Sequence, residues 1–343
     1  MKNRLLLVAI AGALTAPLAF AEVNLQKNAN LTIYGIADVA YSSLDYGSAT
    51  RSRVSSDAGS GGSRLGVKGS HDMGKGNLKA NWNIELGIPT DGNGNGASTD
   101  LFFRQTWAGL SGDFGSLVAG RDYSLTFLAA FRGEYCGWCG IASPAGLTQQ
   151  GVRESNYIKY ESPKFNGFSV AIAHAAGEHQ VTSGQGNKWE LAAFMEKGPF
   201  SGAFAHRSTK LSASATQNGN YLAGNVAFGP AKLYALLGNE KTSGIGTTNE
   251  RYAAMGLGFK LGGGDLNLQL AKVADSTGAD RDTSLAAVSY FYPYTDMVTF
   301  YGQYGRVNNQ ALATRTTWTG SDSPALVAGR DLTGLQAGFR VSF

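Results

Sequence analysis

Residues Leu78–Ile88 read LKANWNIELGI, and apolar and polar residues alternate along this stretch. The even positions are apolar: Leu78, Ala80, Trp82, Ile84, Leu86 and Ile88. The odd positions before Gly87 are polar: Lys79, Asn81, Asn83 and Glu85. Successive side chains of a β-strand point to opposite faces, so the stretch predicts a strand with one apolar wall and one polar wall.

The same alternation recurs at Asp265–Leu270 and Leu335–Phe343, and the connections between such segments fall into two sets. The short connections lie at 73–77, 111–115, 197–199, 229–231, 262–265 and 292–296. The long, polar connections lie at 45–60, 89–100, 124–153, 178–186, 210–218, 242–249, 276–282 and 307–331. Short turns that alternate with long loops are typical of outer-membrane barrels, so we predict an all-β fold, a 16-stranded antiparallel transmembrane β-barrel.

Composition excludes the main alternatives. The 343 residues include 47 Gly, 17 Phe, 15 Tyr and 5 Trp, with only 8 Pro. Neither collagen nor a disordered chain has this balance. No apolar run of about 18 residues follows residue 21, which argues against membrane-spanning helices. A net charge of +4, dispersed along the chain, does not indicate a nucleic-acid partner.

The N-terminus is typical of a secretory signal peptide. A basic start, Met1–Arg4, precedes the apolar stretch Leu5–Leu14 and the small-residue site Ala19–Ala21. We therefore predict that residues 1–21 are a signal peptide and that residues 22–343 form one barrel domain.

Several segments together resemble the Gram-negative general porins. They are Leu31–Gly35, Ser63–Ser70, Phe103–Ser111, Gly115–Arg121, Ser155–Pro163 and the terminal Phe343, which resembles the family's assembly signal. The resemblance implies a homotrimer in the outer membrane of a Gram-negative bacterium, in contact with lipid and lipopolysaccharide. It also implies passive diffusion of small hydrophilic solutes and ions, through a lumen narrowed by an inward-folded third external loop.

The connection Ser124–Arg153 is the third of the long loops, and its composition agrees with that implication. It contains Phe127, Phe131, Tyr135, Trp138 and Ile141, too many apolar groups to leave in water. Long loops inside compact domains are usually functional. We expect this loop to pack against the barrel lumen.

Five residues are candidates for the pore constriction: Arg64, Lys68, Arg104, Glu134 and Arg153. Alternation turns Arg64 and Lys68 towards the lumen, and it places Arg153 there with Tyr157. We place Arg104 inward by taking it in phase with Thr106 and opposite to Trp107. By resemblance, the three arginines match the family's basic cluster.

Glu134 is the only acid between residues 123 and 153, where the family often has two or more. The lining residues therefore carry an excess of positive charge, and charge in a narrow channel sets ion preference. We predict a weak anion preference. The alternative is that these are ordinary wetted charges of a polar wall.

The same phase assignment leaves Gln105 and Gly109 facing lipid beside Trp107. Lipid accepts such groups poorly, so this sector is predicted to form a subunit contact. Arg121 has the phase of Leu117 and Ala119 and is a second candidate for that interface.

Cys136 and Cys139 form a C-x-x-C pair in the long loop. Redox chemistry, half a zinc site and a local disulfide are the possible readings. We expect a disulfide that stiffens the loop, with free thiols as the alternative. The four histidines lie elsewhere in the chain, so we predict no metal site and no cofactor.

Two other functions compete with a pore: an outer-membrane adhesin or binding barrel, and a barrel hydrolase. A hydrolase would need Ser, His and a carboxylate to converge, and no spacing in the chain suggests this. We therefore do not expect an enzyme.

Overall fold

The computed structural model describes residues 29–56, 62–88, 90, 103–135, 140–148, 150–177, 184–244, 247–317 and 326–343. The sheet strands are β1 (Ala29–Asp45), β2 (Thr50–Ser55), β3 (Arg64–Asp72), β4 (Lys79–Gly87), β5 (Phe103–Gly112), β6 (Gly115–Tyr123), β7 (Arg153–Glu161), β8 (Phe168–Ala175), β9 (Lys188–Lys197), β10 (Phe200–Lys210), β11 (Thr216–Phe228), β12 (Ala231–Ser243), β13 (Thr248–Leu261), β14 (Gly264–Asp275), β15 (Thr283–Pro293), β16 (Val298–Asn309) and β17 (Leu332–Ser342). Between β6 and β7 lie helix α1 (Leu125–Ala130) and 3₁₀ turns at Phe131–Gly133, Gly140–Ala142 and Pro144–Leu147.

These strands form a closed antiparallel barrel with sixteen positions, as the alternation predicts. Strands β2 and β3 together occupy one of the sixteen barrel positions, because both pair with the same edge of β1. β2 pairs with residues 40–45 of β1, and β3 pairs with residues 29–36. Where β2 and β3 separate, Ser63 Oγ accepts a hydrogen bond from the Asp38 N–H (2.8 Å) and donates one to the Asp38 carbonyl (3.0 Å). Alternation did not predict β2, which lies in the first expected loop.

The barrel closes where β1 meets β17. Ten residues pair across this seam, from Ile36 opposite Ser342 to Asp45 opposite Thr333. Phe343 continues the pairing, because its backbone N–H and carbonyl both bond to Gly35, at 3.0 and 2.8 Å. Closure gives each barrel position two neighbours, which a bilayer requires because it offers no partner to free backbone groups.

The two faces of the sheet differ in chemistry. Large apolar side chains are exposed on one, which we call the apolar face; examples are Ile84, Ile172, Leu191, Leu222, Leu237, Leu270 and Leu335. Buried polar side chains lie on the other, the polar face; examples are Asn83, Glu85, Glu190, Glu240, Gln269, Gln303 and Gln336. Strand β4 lies within the stretch Leu78–Ile88 and has the predicted polar and apolar walls.

Connections at one end of the barrel are tight and those at the other end are long. Gly198 and Gly229 sit in two of the tight turns with a φ of 57°, a conformation that favours glycine. Among the residues described, no helix is both long and apolar enough to span a membrane. The expected signal peptide, residues 1–21, and the pair Cys136 and Cys139 lie outside the described residues.

The closing seam supplies a test of the fold. A Cβ atom at Gly338 would lie 2.4 Å from the Val39 carbonyl oxygen, across the β1–β17 pair. We expect Gly338→Ala to destabilise the barrel by about 1–3 kcal/mol, the usual cost of overpacking. The midpoint of heat-induced unfolding on semi-native gels measures it. Gly302→Ala on the next strand is the control, since only the Gln336 carbonyl oxygen lies within 4.0 Å of its Cβ. Equal unfolding midpoints for both variants would contradict the predicted clash between the Cβ atom at position 338 and the Val39 carbonyl oxygen.

Candidate pore constriction

Three predicted arginines meet on the polar face, one each from β3, β5 and β7. Arg104 Nε lies 2.6 Å from Glu85 Oε1, in a salt bridge that is almost entirely shielded from solvent. Arg104 and Arg153 both donate to the Tyr123 hydroxyl, at 3.3 and 3.2 Å. Arg64 is close enough to interact electrostatically with Arg104 and Glu85. We call Arg64, Arg104 and Arg153 the arginine cluster.

Tyrosines and a fourth cation flank the cluster. Arg153 lies over the Tyr123 ring, with its guanidinium carbon 4.7 Å from the centroid. Lys68, which is exposed, lies over the Tyr34 ring at 5.3 Å. The Tyr34 hydroxyl donates to Glu85 at 3.0 Å. Three guanidinium groups thus lie around Glu85, with Lys68 beside them over the Tyr34 ring, and these groups together carry a net positive charge.

Arg104 reaches the cluster for a reason that the sequence analysis did not anticipate. The assignment of Arg104 and Thr106 to one face was wrong: Thr106, Ala108 and Leu110 are exposed on the apolar face. The ladder between β4 and β5 shifts register after Glu85, which skips Arg104 and turns it to the polar face. Such bulges commonly re-aim a side chain.

The same correction applies to Gln105. Its Oε1 accepts hydrogen bonds from Asn83 Nδ2 (3.1 Å) and Trp107 Nε1 (3.2 Å), so Gln105 and Trp107 lie on the polar face. Gly109, two residues after Trp107, also lies on the polar face. The prediction that these residues meet lipid was wrong, and their polarity indicates nothing about a subunit contact. Arg121 pairs with Thr106 in the ladder and donates to Ser155 on the apolar face.

Glu134 lies apart from the contacts that hold the arginines together. Its carboxylate is buried and accepts hydrogen bonds from Ser143 Oγ (2.6 Å) and the Ala145 N–H (3.0 Å), within its own loop. The carboxylate beside Arg104 is Glu85, which alternation predicts only as part of a polar wall. Glu85 lies opposite Gly66, two residues from Arg64 in β3, a strand register that alternation alone does not predict.

The long loop is anchored to β7 and β9 at its start. Glu190 is buried and accepts hydrogen bonds from the N–H groups of Leu125 (3.0 Å) and Thr126 (3.3 Å) and from the Thr126 hydroxyl (2.7 Å). Tyr157 also donates to this carboxylate. Since the neighbours of Glu190 in β9, Trp189 and Leu191, are exposed, the loop packs on the polar face.

The rest of the loop follows the polar face away from the arginine cluster. Asn225 of β11 donates to the Arg132 carbonyl (2.8 Å), and Gln269 of β14 donates to the Ala142 carbonyl (2.7 Å). Tyr135 packs against Phe291 with ring centroids 5.4 Å apart. Burial and the nearby Asp265 raise the pKa of the Tyr135 phenol, which therefore stays neutral. The loop thus covers strands on the side of the barrel away from the arginine cluster.

The connection between β16 and β17 also bonds this loop. Arg315 donates from Nη1 to the Leu147 carbonyl (2.7 Å) and forms an ion pair with Glu250 of β13. Thr317 donates to the Ile141 carbonyl at 3.1 Å. The pKa of Arg315 is raised, because the effects of Tyr252 and Glu250 outweigh the opposing effect of burial. The Arg315 guanidinium therefore stays charged.

Comparison with known proteins agrees with the geometry. A closed sheet with an apolar outer belt and charged groups on the opposite face defines a membrane-spanning β-barrel. A sequence model of the Gram-negative porin family matches residues 7–312, so the chain belongs to this family. The resemblance to porins is thereby confirmed, and the protein is located in the outer membrane.

Individual relatives cover the chain to different extents. Outer membrane porin protein 32 of Delftia acidovorans is 29% identical over 366 aligned residues, with both chains covered completely. Major outer membrane protein P.IB of Neisseria gonorrhoeae is 28% identical over 49% of each chain. The anion-selective porin from Comamonas acidovorans superposes with a TM-score of 0.81 at 25% identity, over 92% of this chain and all of that one. OmpT of Vibrio cholerae superposes at 0.69 with 16% identity, over 93% and 98% of the two chains, and supports the fold alone.

The contacts of Arg315 with the Leu147 carbonyl and with Glu250 lead to a prediction about the long loop. Arg315→Ala removes donors to the Leu147 carbonyl and to Glu250, at an expected cost of about 1–3 kcal/mol. We expect more frequent current fluctuations in single-channel recordings and a lower unfolding midpoint. Arg281→Ala, an exposed arginine of a neighbouring loop, is the control. Traces as quiet as those of the wild type would show that Arg315 does not hold the loop.

Proposed function

We propose that this porin is a passive pore for small hydrophilic solutes and ions with a preference for anions. The observation that carries the proposal is the arginine cluster, in which three guanidinium groups lie around Glu85, with Lys68 beside them over the Tyr34 ring. Fixed charges beside a narrow path between low-dielectric walls concentrate counter-ions and exclude ions of like charge. The relative from Comamonas acidovorans, described as anion-selective, supports the same direction.

We infer that the polar face surrounds the lumen and that the long loop folds into it. Its contacts with Glu190, Asn225 and Gln269 support this placement. The loop would fill the side formed by β8–β17 and leave the path along the arginine-bearing wall. Solutes would then pass between the loop and Arg64, Arg104 and Arg153.

Neighbouring ion pairs do not offset the positive charge of the cluster. Lys159 binds Asp122 at 2.5 Å, and Lys188 binds Glu154. Each pair is neutral as a unit, so their nearby carboxylates do not compete for cations. A diffusion pore needs no bond chemistry, and the proposed role is a channel without catalysis. Residues 1–21 are proposed to be removed on export.

Neutralising one cluster member tests the proposed selectivity. A unit charge about 6 Å from a permeating ion contributes about 0.7 kcal/mol at the dielectric constant of water, or roughly a threefold change in occupancy. Arg153→Gln removes an attraction for chloride and an equal repulsion of potassium, so we expect the chloride-to-potassium permeability ratio to fall by up to about tenfold, measured as the zero-current potential in a KCl gradient.

Arg251→Gln is the matched control for that experiment, because Arg251 is exposed on the apolar face of β13. It removes the same charge from outside the lumen and should leave the ratio unchanged. Equal shifts in the two variants would indicate a diffuse surface effect and would contradict a role for the cluster.

We also propose that the protein is a homotrimer in contact with lipid and lipopolysaccharide. Small side chains on the apolar faces of β5 and β6 support the trimer: Thr106, Ala108 and Ala119 are exposed there, whereas β8 and β9 expose large apolar groups such as Ile172 and Leu191. Short side chains permit the close approach of another copy. A V. cholerae OmpT structure is described as a trimer form.

A bulky substitution tests the subunit contact. Ala108 is exposed on the apolar face of β5, and Ala286 is exposed on that of β15. We expect Ala108→Trp to shift the protein from trimer to monomer on native gels and in cross-linking, because the indole would hold the copies apart. Ala286→Trp should remain trimeric. Dissociation by Ala286→Trp alone would place the contact on the other side of the barrel.

A further inference from the structure

Helix α1 and the residues that flank it carry three aromatic side chains at intervals of four residues. They are Tyr123, Phe127 and Phe131. Residues four apart lie on the same side of a helix, and the three rings meet accordingly. Tyr123 and Phe127 stack with ring centroids 5.3 Å apart, and Phe127 and Phe131 pack at 5.8 Å. We call these three rings the aromatic row.

The aromatic row begins at the arginine cluster. The Tyr123 hydroxyl accepts hydrogen bonds from Arg104 and Arg153, and the Arg153 guanidinium lies over the Tyr123 ring. Phe127 continues the row into the long loop, where its ring is buried. An anion held by the arginine cluster is therefore next to the first ring of a continuous aromatic surface.

The aromatic row ends at Phe131, whose side chain is 45% exposed. Of the loop residues that the structure describes, 124–135, 140–148 and 150–153, Phe131 alone is exposed, and the others are buried or half-buried. A loop usually exposes its polar residues and buries its aromatic ones. This loop does the reverse, because Glu134 and Ser143 are buried while a phenyl ring is left in solvent. Since the loop packs on the polar face, which is proposed to surround the lumen, that ring borders the solute path.

A second positive group lies beside Phe131. Arg132 Nη2 is 3.3 Å from Glu196 Oε1 at the short-turn end of β9, and Lys164 bonds the other oxygen of the same carboxylate. These two cations and one carboxylate together carry a net positive charge. The aromatic row thus connects the arginine cluster with a further cationic group nearer the short turns.

We propose that the pore binds and conducts aromatic carboxylates, with the carboxylate on the arginine cluster and the solute ring on the aromatic row. The proposal rests on the anion-preferring pore proposed above and names a solute class for it. Guanidinium groups can donate two parallel hydrogen bonds to a carboxylate. Aromatic rings attract each other beyond what their buried area accounts for. Chloride uses only the charge of the arginines, and a saturated carboxylate lacks the ring pairing.

Block of the chloride current by two carboxylates of similar size tests this proposal. The full-length pore is recorded in a planar bilayer in KCl at pH 7, and benzoate or cyclohexanecarboxylate is titrated into the bath. Both probes are anions at this pH, and only benzoate is aromatic. We expect benzoate to halve the chloride current at a concentration at least about threefold lower than cyclohexanecarboxylate does. Equal half-blocking concentrations in the wild type would overturn the proposal.

Substitution of Phe131 tests the location of the site. Phe131→Leu keeps an apolar side chain but removes the ring, so it should abolish the difference between the two carboxylates, whereas Phe131→Tyr should retain it. Phe204→Leu is the matched control, because Phe204 is 43% exposed on the apolar face of β10, outside the lumen. A preference for benzoate that survives in Phe131→Leu, or an equal loss in Phe204→Leu, would overturn the proposal.

The zero-current potential in a KCl gradient, recorded for the same channels, distinguishes this site from the proposed function. A potassium-preferring wild type would contradict the proposed function and the aromatic site together. A chloride-preferring wild type that the two carboxylates block equally would overturn the aromatic site alone.

Discussion

The constraint on which this structure depends is the pairing of every backbone group in a medium that offers no other partner. Strand β1 meets this constraint by pairing with β17 on one edge and with both β2 and β3 on the other. At the break between β2 and β3, the Ser63 hydroxyl replaces a missing backbone pair by bonding both polar groups of Asp38. One side chain thus keeps the ladder continuous where the strand itself is interrupted.

Closure also determines what the side chains can do. A closed two-faced sheet sends apolar groups to lipid, and its other face must satisfy polar groups within the protein. Glu190, Asn225 and Gln269 do this by bonding the long loop, whose own backbone needs partners. These contacts lie on β9, β11 and β14, whereas the arginine cluster lies on β3, β5 and β7. The proposed selectivity and the anchoring of the loop would therefore both follow from one packing arrangement.

Period-two alternation predicted the barrel, its sixteen positions and the polar wall of β4, because each depends only on which face a side chain takes. It failed where the backbone departs from that period. The bulge beside Glu85 turned Arg104 to the polar face and moved Thr106 to the other, and alternation contains no signal for a bulge. Arg104 was assigned to the correct face through an incorrect phase.

The sequence pattern also did not predict which groups the buried carboxylates bond. Glu134 was expected to line the pore because it is the one acid of its loop, yet it bonds Ser143 and the Ala145 N–H. Glu85 took the place beside Arg104 through contacts between strands 19 residues apart in sequence. Pairings of this kind depend on tertiary packing, and local pattern does not encode them.

The ion preference of the wild-type pore tests the central claim most directly. With purified protein in a planar bilayer and a tenfold KCl gradient, the zero-current potential reports which ion carries more current. A net positive constriction lined by Arg64, Arg104 and Arg153 predicts a potential of the sign set by chloride. A potential of the sign set by potassium would contradict the assignment of these arginines to the narrowest part of the path.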